Sequence, residues 1–244
     1  MIFGFRSDAK RRSLLLGFVT VAAFSILLSG CAAVGRTDLR CDRIQVISNE
    51  LSLRETEHYC HYAAIERNKV EAFWGATWTE TIRIHVDDSY KISRALTTGV
   101  RGFVEMPLSG VRAQRSALLH EIVHVYAPNR NRFLAEGLAV YLQDILGGNP
   151  AFPNFGKNLR ALARGRLSAM SSLEPLNSVK TPRPLGTVMQ EQSAYILAGS
   201  FVGFLIENYG VTMFRHLYEV GSYDRAYGKS LTMLEKEWRL ELQQ

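Results

Sequence analysis

Five consecutive residues, His120-Glu121-Ile122-Val123-His124, constrain this 244-residue chain more than any other feature. They read H-E-x-x-H. On a helix, side chains four apart lie on one face, one turn apart. Two imidazoles so placed can share one metal ion at about 2.0–2.1 Å each. The glutamate beside the first histidine projects toward the same cavity, where it can take a proton from a water polarised by that metal. Leu118, Leu119, Ile122, Val123 and Val125 surround the motif, so the helix is expected to be buried. Two histidines and a glutamate in an apolar helix are costly unless something satisfies them.

A third ligand is the next requirement. The stretch Phe133–Leu142 reads as a second helix, separated from the first by Pro128 and by Asn129-Arg130-Asn131. Glu136 is the only carboxylate between Glu121 and Asp144, and it sits among apolar residues. Such a carboxylate needs a partner. Two histidines and one glutamate leave a fourth metal position open, the arrangement of a catalytic rather than a structural zinc. The alternative is a helix-initial glutamate favoured by the helix dipole.

His120–His124 followed by Glu136-Gly137-Leu138-Ala139 resembles the gluzincin metallopeptidases. More narrowly it is similar to the small bacterial peptidase-MA-like proteins, whose third ligand lies in an E-G-[FL]-A helix soon after H-E-x-x-H. Tyr195–Val202 and the closing Leu234-Glu235-Lys236-Glu237-Trp238 extend the resemblance, which runs from about Ile82 to the C-terminus. It implies an α+β, zincin-like fold: a small N-terminal mixed sheet with helices, then a mostly helical part containing the His120–His124 helix. It also implies one Zn²⁺ per chain held by His120, His124 and Glu136, and hydrolysis of peptide bonds. Glu121 is the expected general base. Tyr195 is the expected donor to the developing oxyanion, because relatives place a tyrosine in the matching helix. One position departs from the family pattern. Many relatives carry an acidic residue four positions after the ligand glutamate, where this chain has Val140. Asp144 is the substitute that could orient a histidine.

The amino terminus sets a compartment. Arg6, Lys10, Arg11 and Arg12 precede a mostly apolar run from Leu14 to Leu28. That run is short for a membrane span and suited to a signal peptide. Leu28-Ser29-Gly30-Cys31 resembles the bacterial lipobox, which implies lipidation of Cys31 and anchoring through acyl chains. Ala32, rather than Asp, after the cysteine favours the outer membrane, facing the periplasm. The expected organisation is a signal peptide over 1–30, a lipidated tether over 31–40 and one metallopeptidase domain over 41–244. Cys41 and Cys60 remain as an even pair in an oxidising compartment, which suggests one disulfide; two free thiols are the alternative.

The chain carries 29 basic and 23 acidic residues, but residues 1–30 hold four of the basic and one of the acidic ones. The remainder balances at 25 against 22, so nucleic acid is not an expected partner. Lys157, Arg160, Arg164 and Arg166 read as a solvated helix face.

Periodicity assigns the rest. Strands are expected over Ile44–Ile47, Thr81–Val86 and Val100–Met106; Gly102–Met106 is the candidate edge for an extended substrate, with an ordinary edge or core strand as the alternative. A helix is expected over Leu51–Trp74, with Tyr59, Tyr62, Ala63, Ile65, Val70 and Phe73 inward. A short helix is expected over Tyr90–Leu96. Met170–Thr187 reads as an irregular loop able to cover the cleft, and later helices span about 191–208, 211–220 and 231–242. His58, His61, His85 and His216 read as surface or structural residues. Peptide or protein is the expected substrate. A non-catalytic scaffold lipoprotein on this fold and a zinc amidohydrolase of a non-peptide amide share the same site residues.

Overall fold

The computed structural model describes residues 35–96 and 99–244, and the core described below lies wholly within them. The expected signal peptide and Cys31 lie outside the described residues.

A five-stranded sheet comes first along the chain, in the order β1-β2-β3-β5-β4. β1 (Thr37–Cys41) and β2 (Ile44–Ser48) form an antiparallel hairpin. β2, β3 (Ile82–Asp87) and β5 (Phe103–Pro107) run parallel, and β4 (Arg94–Leu96) lies antiparallel to β5 at the far edge. Three expectations are corrected here. The tether does not reach residue 40, because Thr37–Cys41 pairs with β2. Tyr90–Leu96 is not a helix. A turn at Asp88-Ser89 precedes it, in which the Ser89 N–H donates to the Asp87 carboxylate; Tyr90 then meets His85, and Arg94 pairs with Glu105 across the strands. A seven-residue segment gains little from helix formation, and the β5 edge offers hydrogen bonds instead. For the same reason β5 is interior and β4 is the free edge.

α1 (Leu53–Trp74) starts with a reciprocal capping box between Ser52 and Glu55. Its buried residues, Thr56, Tyr59, Cys60, Ala63, Glu66, Arg67, Val70 and Trp74, recur at intervals of three and four. Ile65 falls off that face and is 55% exposed, against expectation. A disulfide joins Cys41 of β1 to Cys60 of α1.

After a short α2 (Leu108–Arg112), the helical part is built around α3 (Leu118–Tyr126), α4 (Arg132–Ile145) and α7 (Glu191–Tyr209). α4 and α7 pack at very close range. A Cβ built on Gly137 would lie 2.7 Å from the Ala198 carbonyl oxygen, and one on Gly199 would lie 2.4 Å from Val140 Cγ1. The two glycines therefore permit the approach, and Val140 is fully buried against α7 rather than facing the histidines.

α5 (Leu159–Arg164) and α6 (Glu174–Asn177) follow α4, and α8 (Val211–Val220), α9 (Tyr223–Tyr227) and α10 (Leu231–Gln243) follow α7. Gly210, at a φ of 84°, stops α7 as its position predicts. The 170–187 segment contains α6 and is packed on the core, and its Pro184 lines the cleft. Leu173, Leu176 and Leu185 are fully buried, and the Leu173 N–H donates to Glu235. Among the four basic residues after α4, Arg160 pairs with Glu241 at 2.7 Å. No helix among the described residues is long and apolar enough to cross a membrane.

Three stability outcomes follow. Gly137→Ala is expected to cost about 2–3 kcal/mol in thermal unfolding, because backbone as well as side chain must move. Gly165→Ala, with nothing nearer than 3.7 Å, is expected to be near neutral. Cys41→Ser with Cys60→Ser removes a cross-link between residues 19 apart in sequence and is expected to cost about 3 kcal/mol in chemical denaturation.

Candidate metal centre

Every residue of α3 is buried, His120, Glu121 and His124 included. The chain turns through Ala127–Asn131, and the Asn131 side chain caps α4 by accepting from the Leu134 N–H. That turn returns α4 alongside α3 and aims Glu136 back at the two histidines. Glu136 lies beyond the first turn of α4 and is 2% exposed, so the helix-dipole alternative does not explain it.

The three expected ligands meet. His120 Nε2 lies 3.0 Å from Glu136 Oε2, His124 Nε2 lies 3.2 Å from the same oxygen, and the two Nε2 atoms are 3.1 Å apart. Two donors on one tetrahedral Zn²⁺ at about 2.0–2.1 Å are roughly 3.3 Å apart, close to this spacing. The three atoms face one point, and with both imidazoles protonated on Nδ1 each presents a lone pair there, which a shared cation satisfies. The donor set therefore fits zinc. Cys41 and Cys60 are bonded to each other and are not available as ligands.

Electrostatics divide the two carboxylates. Burial opposes ionisation of Glu136, yet the charge of His124 and the hydrogen bonds of both histidines hold its carboxyl well below the ordinary range. Burial pushes Glu121 up to about 7, with His120 opposing the rise and Glu136 adding to it. A base whose pKa lies near neutrality suits proton transfer at physiological pH.

These groups line a cavity of about 610 Å³ with Arg94 and Ala95 of β4, Arg132, Phe152, Phe155 and Tyr195. The Tyr195 ring lies nearly parallel to that of His120, with centroids 6.5 Å apart, so the expected oxyanion donor is in the site. Asp144 is not. Its carboxylate accepts from Asn154 at 2.7 Å on another face of α4.

Two contacts were not anticipated. Arg132 forms an ion pair with Glu136 Oε1, the oxygen turned away from the histidines. The pair lies at i, i+4 on α4, a spacing that is legible in the sequence. The Ala95 N–H donates to Glu121 Oε2 at 2.7 Å. A backbone group brought in by sheet topology leaves no sequence signal.

No protein-family model matches the chain, and no curated protein matches it in sequence. Among solved structures, the fold is similar to an M1 zinc metallopeptidase from Deinococcus radiodurans bound to a Tyr-Ser-Ala substrate, at 18% identity and a TM-score of 0.47. That match covers 86% of this chain and 50% of the other. Yeast LTA4 hydrolase in complex with bestatin is matched at 16% identity and a TM-score of 0.46, over 84% of this chain and 36% of the other. The chain thus spans half or less of the length of both.

Residues 35–244 are expected to bind one zinc, measured by elemental analysis after dialysis. His120→Ala, His124→Ala and Glu136→Ala should each abolish stoichiometric binding. Arg132→Ala frees Glu136 to rotate and should weaken zinc about tenfold in competition with a chromophoric chelator.

Proposed function

We propose that this chain is a membrane-anchored zinc metallopeptidase of the cell envelope, of the gluzincin type. One observation carries the reading: His120, His124 and Glu136 converge beside Glu121 in a cleft bordered by the free edge of β4. When bound, zinc supplies Lewis-acid polarisation of the scissile carbonyl and of a water.

The chain's own groups supply the rest. Glu121 takes the water proton and returns it to the leaving amine. The Ala95 N–H holds its Oε2 in place before substrate arrives. Because Ala95 directs its N–H to Glu121 rather than to β5, its edge is turned toward the cleft. An extended peptide can add to such an edge. The Tyr195 hydroxyl, on a ring beside His120 in the cleft, is the donor we assign to the oxyanion as it forms. Burial raises its pKa, which keeps the donor proton on the hydroxyl. Arg132 fixes Glu136 so that one oxygen faces the histidines.

Envelope anchoring rests on residues 6–31 alone. Lipid on Cys31 with Ala32 following points to the periplasmic face of the outer membrane. One observation favours the scaffold alternative: Val140 packs on α7, Asp144 is held by Asn154, and the buried His120 Nδ1 has no hydrogen-bond partner among the described residues.

Glu121→Gln is expected to keep one zinc and lower kcat/KM on a cleaved peptide about 10³-fold. Tyr195→Phe should lower kcat about 10²-fold with KM little changed. Zinc bound without peptide cleavage would contradict the peptidase reading and leave the scaffold or the non-peptide amidohydrolase. Cys31→Ser should abolish incorporation of labelled fatty acid and release the protein from the membrane fraction.

A further inference from the structure

A line of aromatic rings leads outward from the metal ligands. The Tyr195 ring lies beside His120, Phe152 packs edge-on against Tyr195 at 5.3 Å, and Phe155 packs edge-on against Phe152 at 6.2 Å. Phe152 and Phe155 line the cleft, yet they are 37% and 53% exposed. Ile92, on the β4 side of the same cleft, is 72% exposed. Large apolar side chains left in water are ordinary when scattered, but three grouped around one cleft mark a binding surface.

The loop that carries the two phenylalanines is held from beneath by polar groups. Gln143 donates to the Phe152 carbonyl at 3.1 Å, and Gln192 donates to the Pro153 carbonyl at 2.8 Å. Asn154, 3% exposed, donates to Asp144 and to the Lys157 carbonyl. The Phe155 N–H donates to the Ala151 carbonyl at 2.8 Å. Phe155 itself holds a φ of 50°, a left-handed conformation that a bulky side chain adopts only when its surroundings impose it. Partly buried hydrogen bonds and backbone strain thus present two apolar rings to solvent at the mouth of the site. Burial of the same rings in the core would be the relaxed outcome, so the loop is ordered in advance for an apolar ligand.

We propose that Phe152 and Phe155, together with Ile92, are the specificity-determining residues of this site and receive an apolar or aromatic side chain of the peptide substrate next to the bond to be cut. The proposal rests on the peptidase reading above and names its substrate class. The apolar wall is continuous with Tyr195 and His120, which places its occupant within one side chain of the reacting groups.

The test uses zinc-loaded residues 35–244 carrying Glu121→Gln, which binds without cutting. Two fluorescently labelled hexapeptides, identical except for Phe or Ser at one central position, are titrated by anisotropy. The Phe peptide is expected to bind at least tenfold more tightly. Adding Phe152→Ala with Phe155→Ala should bring the two affinities within about twofold of each other and leave that of the Ser peptide unchanged. Equal affinities before those changes, or a preference that survives them, would overturn the proposal. Cleavage by the unchanged protein with no such preference would also overturn it while leaving the peptidase reading intact. A preference that depends on the two rings, in a protein that cuts no peptide, would uphold apolar recognition and sink the peptidase reading. Flotation with phosphatidylethanolamine–phosphatidylglycerol vesicles that needs both rings, without peptide preference, would assign the patch to a membrane and overturn the proposal.

Discussion

Two imidazole nitrogens and a carboxylate oxygen held within 3.2 Å of one another inside a buried cleft are the constraint on which this molecule depends. Desolvating such groups is costly unless they share a partner. The surrounding fold reads as the device that holds them there. α1 and the sheet support α3 from one side. α7 supports α4 from the other, through the close approach that Gly137 and Gly199 allow. The glycine following the ligand Glu136 is therefore a packing residue.

Fixed partners hold both carboxylates that matter. Glu136 gives Oε2 to the histidines and Oε1 to Arg132. Glu121 gives Oε2 to a backbone N–H of the edge strand. Neither carboxylate is left to rotate freely, and preorganisation of this kind is what a catalytic or binding centre needs most. Asp144 serves the same end at a distance, since through Asn154 it stabilises the loop that carries the exposed aromatic rings.

Much of the site was legible in the sequence because helical periodicity is local. Spacing of four residues placed His120 and His124 on one face, and the lone buried carboxylate of the next helix identified Glu136. The order of sheet then helices and the Cys41–Cys60 pair were legible for similar reasons. Sheet topology was not. The crossing of β3 to β5, with β4 turned back as the edge, depends on pairings between residues that have no shared pattern, so the sequence alone suggests an edge at β5 and a helix at Tyr90–Leu96. Ile65 was misplaced because α1 buries Glu66 and Arg67 instead, two charged residues that hydropathy assigns to solvent. The i, i+4 spacing of Arg132 and Glu136 could have been read. The Ala95 contact could not.

X-ray absorption at the zinc edge of the purified protein tests the central claim most directly. The account predicts a shell of nitrogen and oxygen at about 2.0–2.1 Å, with imidazole scattering from two histidines and no sulfur at about 2.3 Å. Glu136→Gln should remove or alter the oxygen part of that shell while the imidazole signature persists. A sulfur shell, a single imidazole, or a spectrum unchanged by Glu136→Gln would contradict the assignment of the centre.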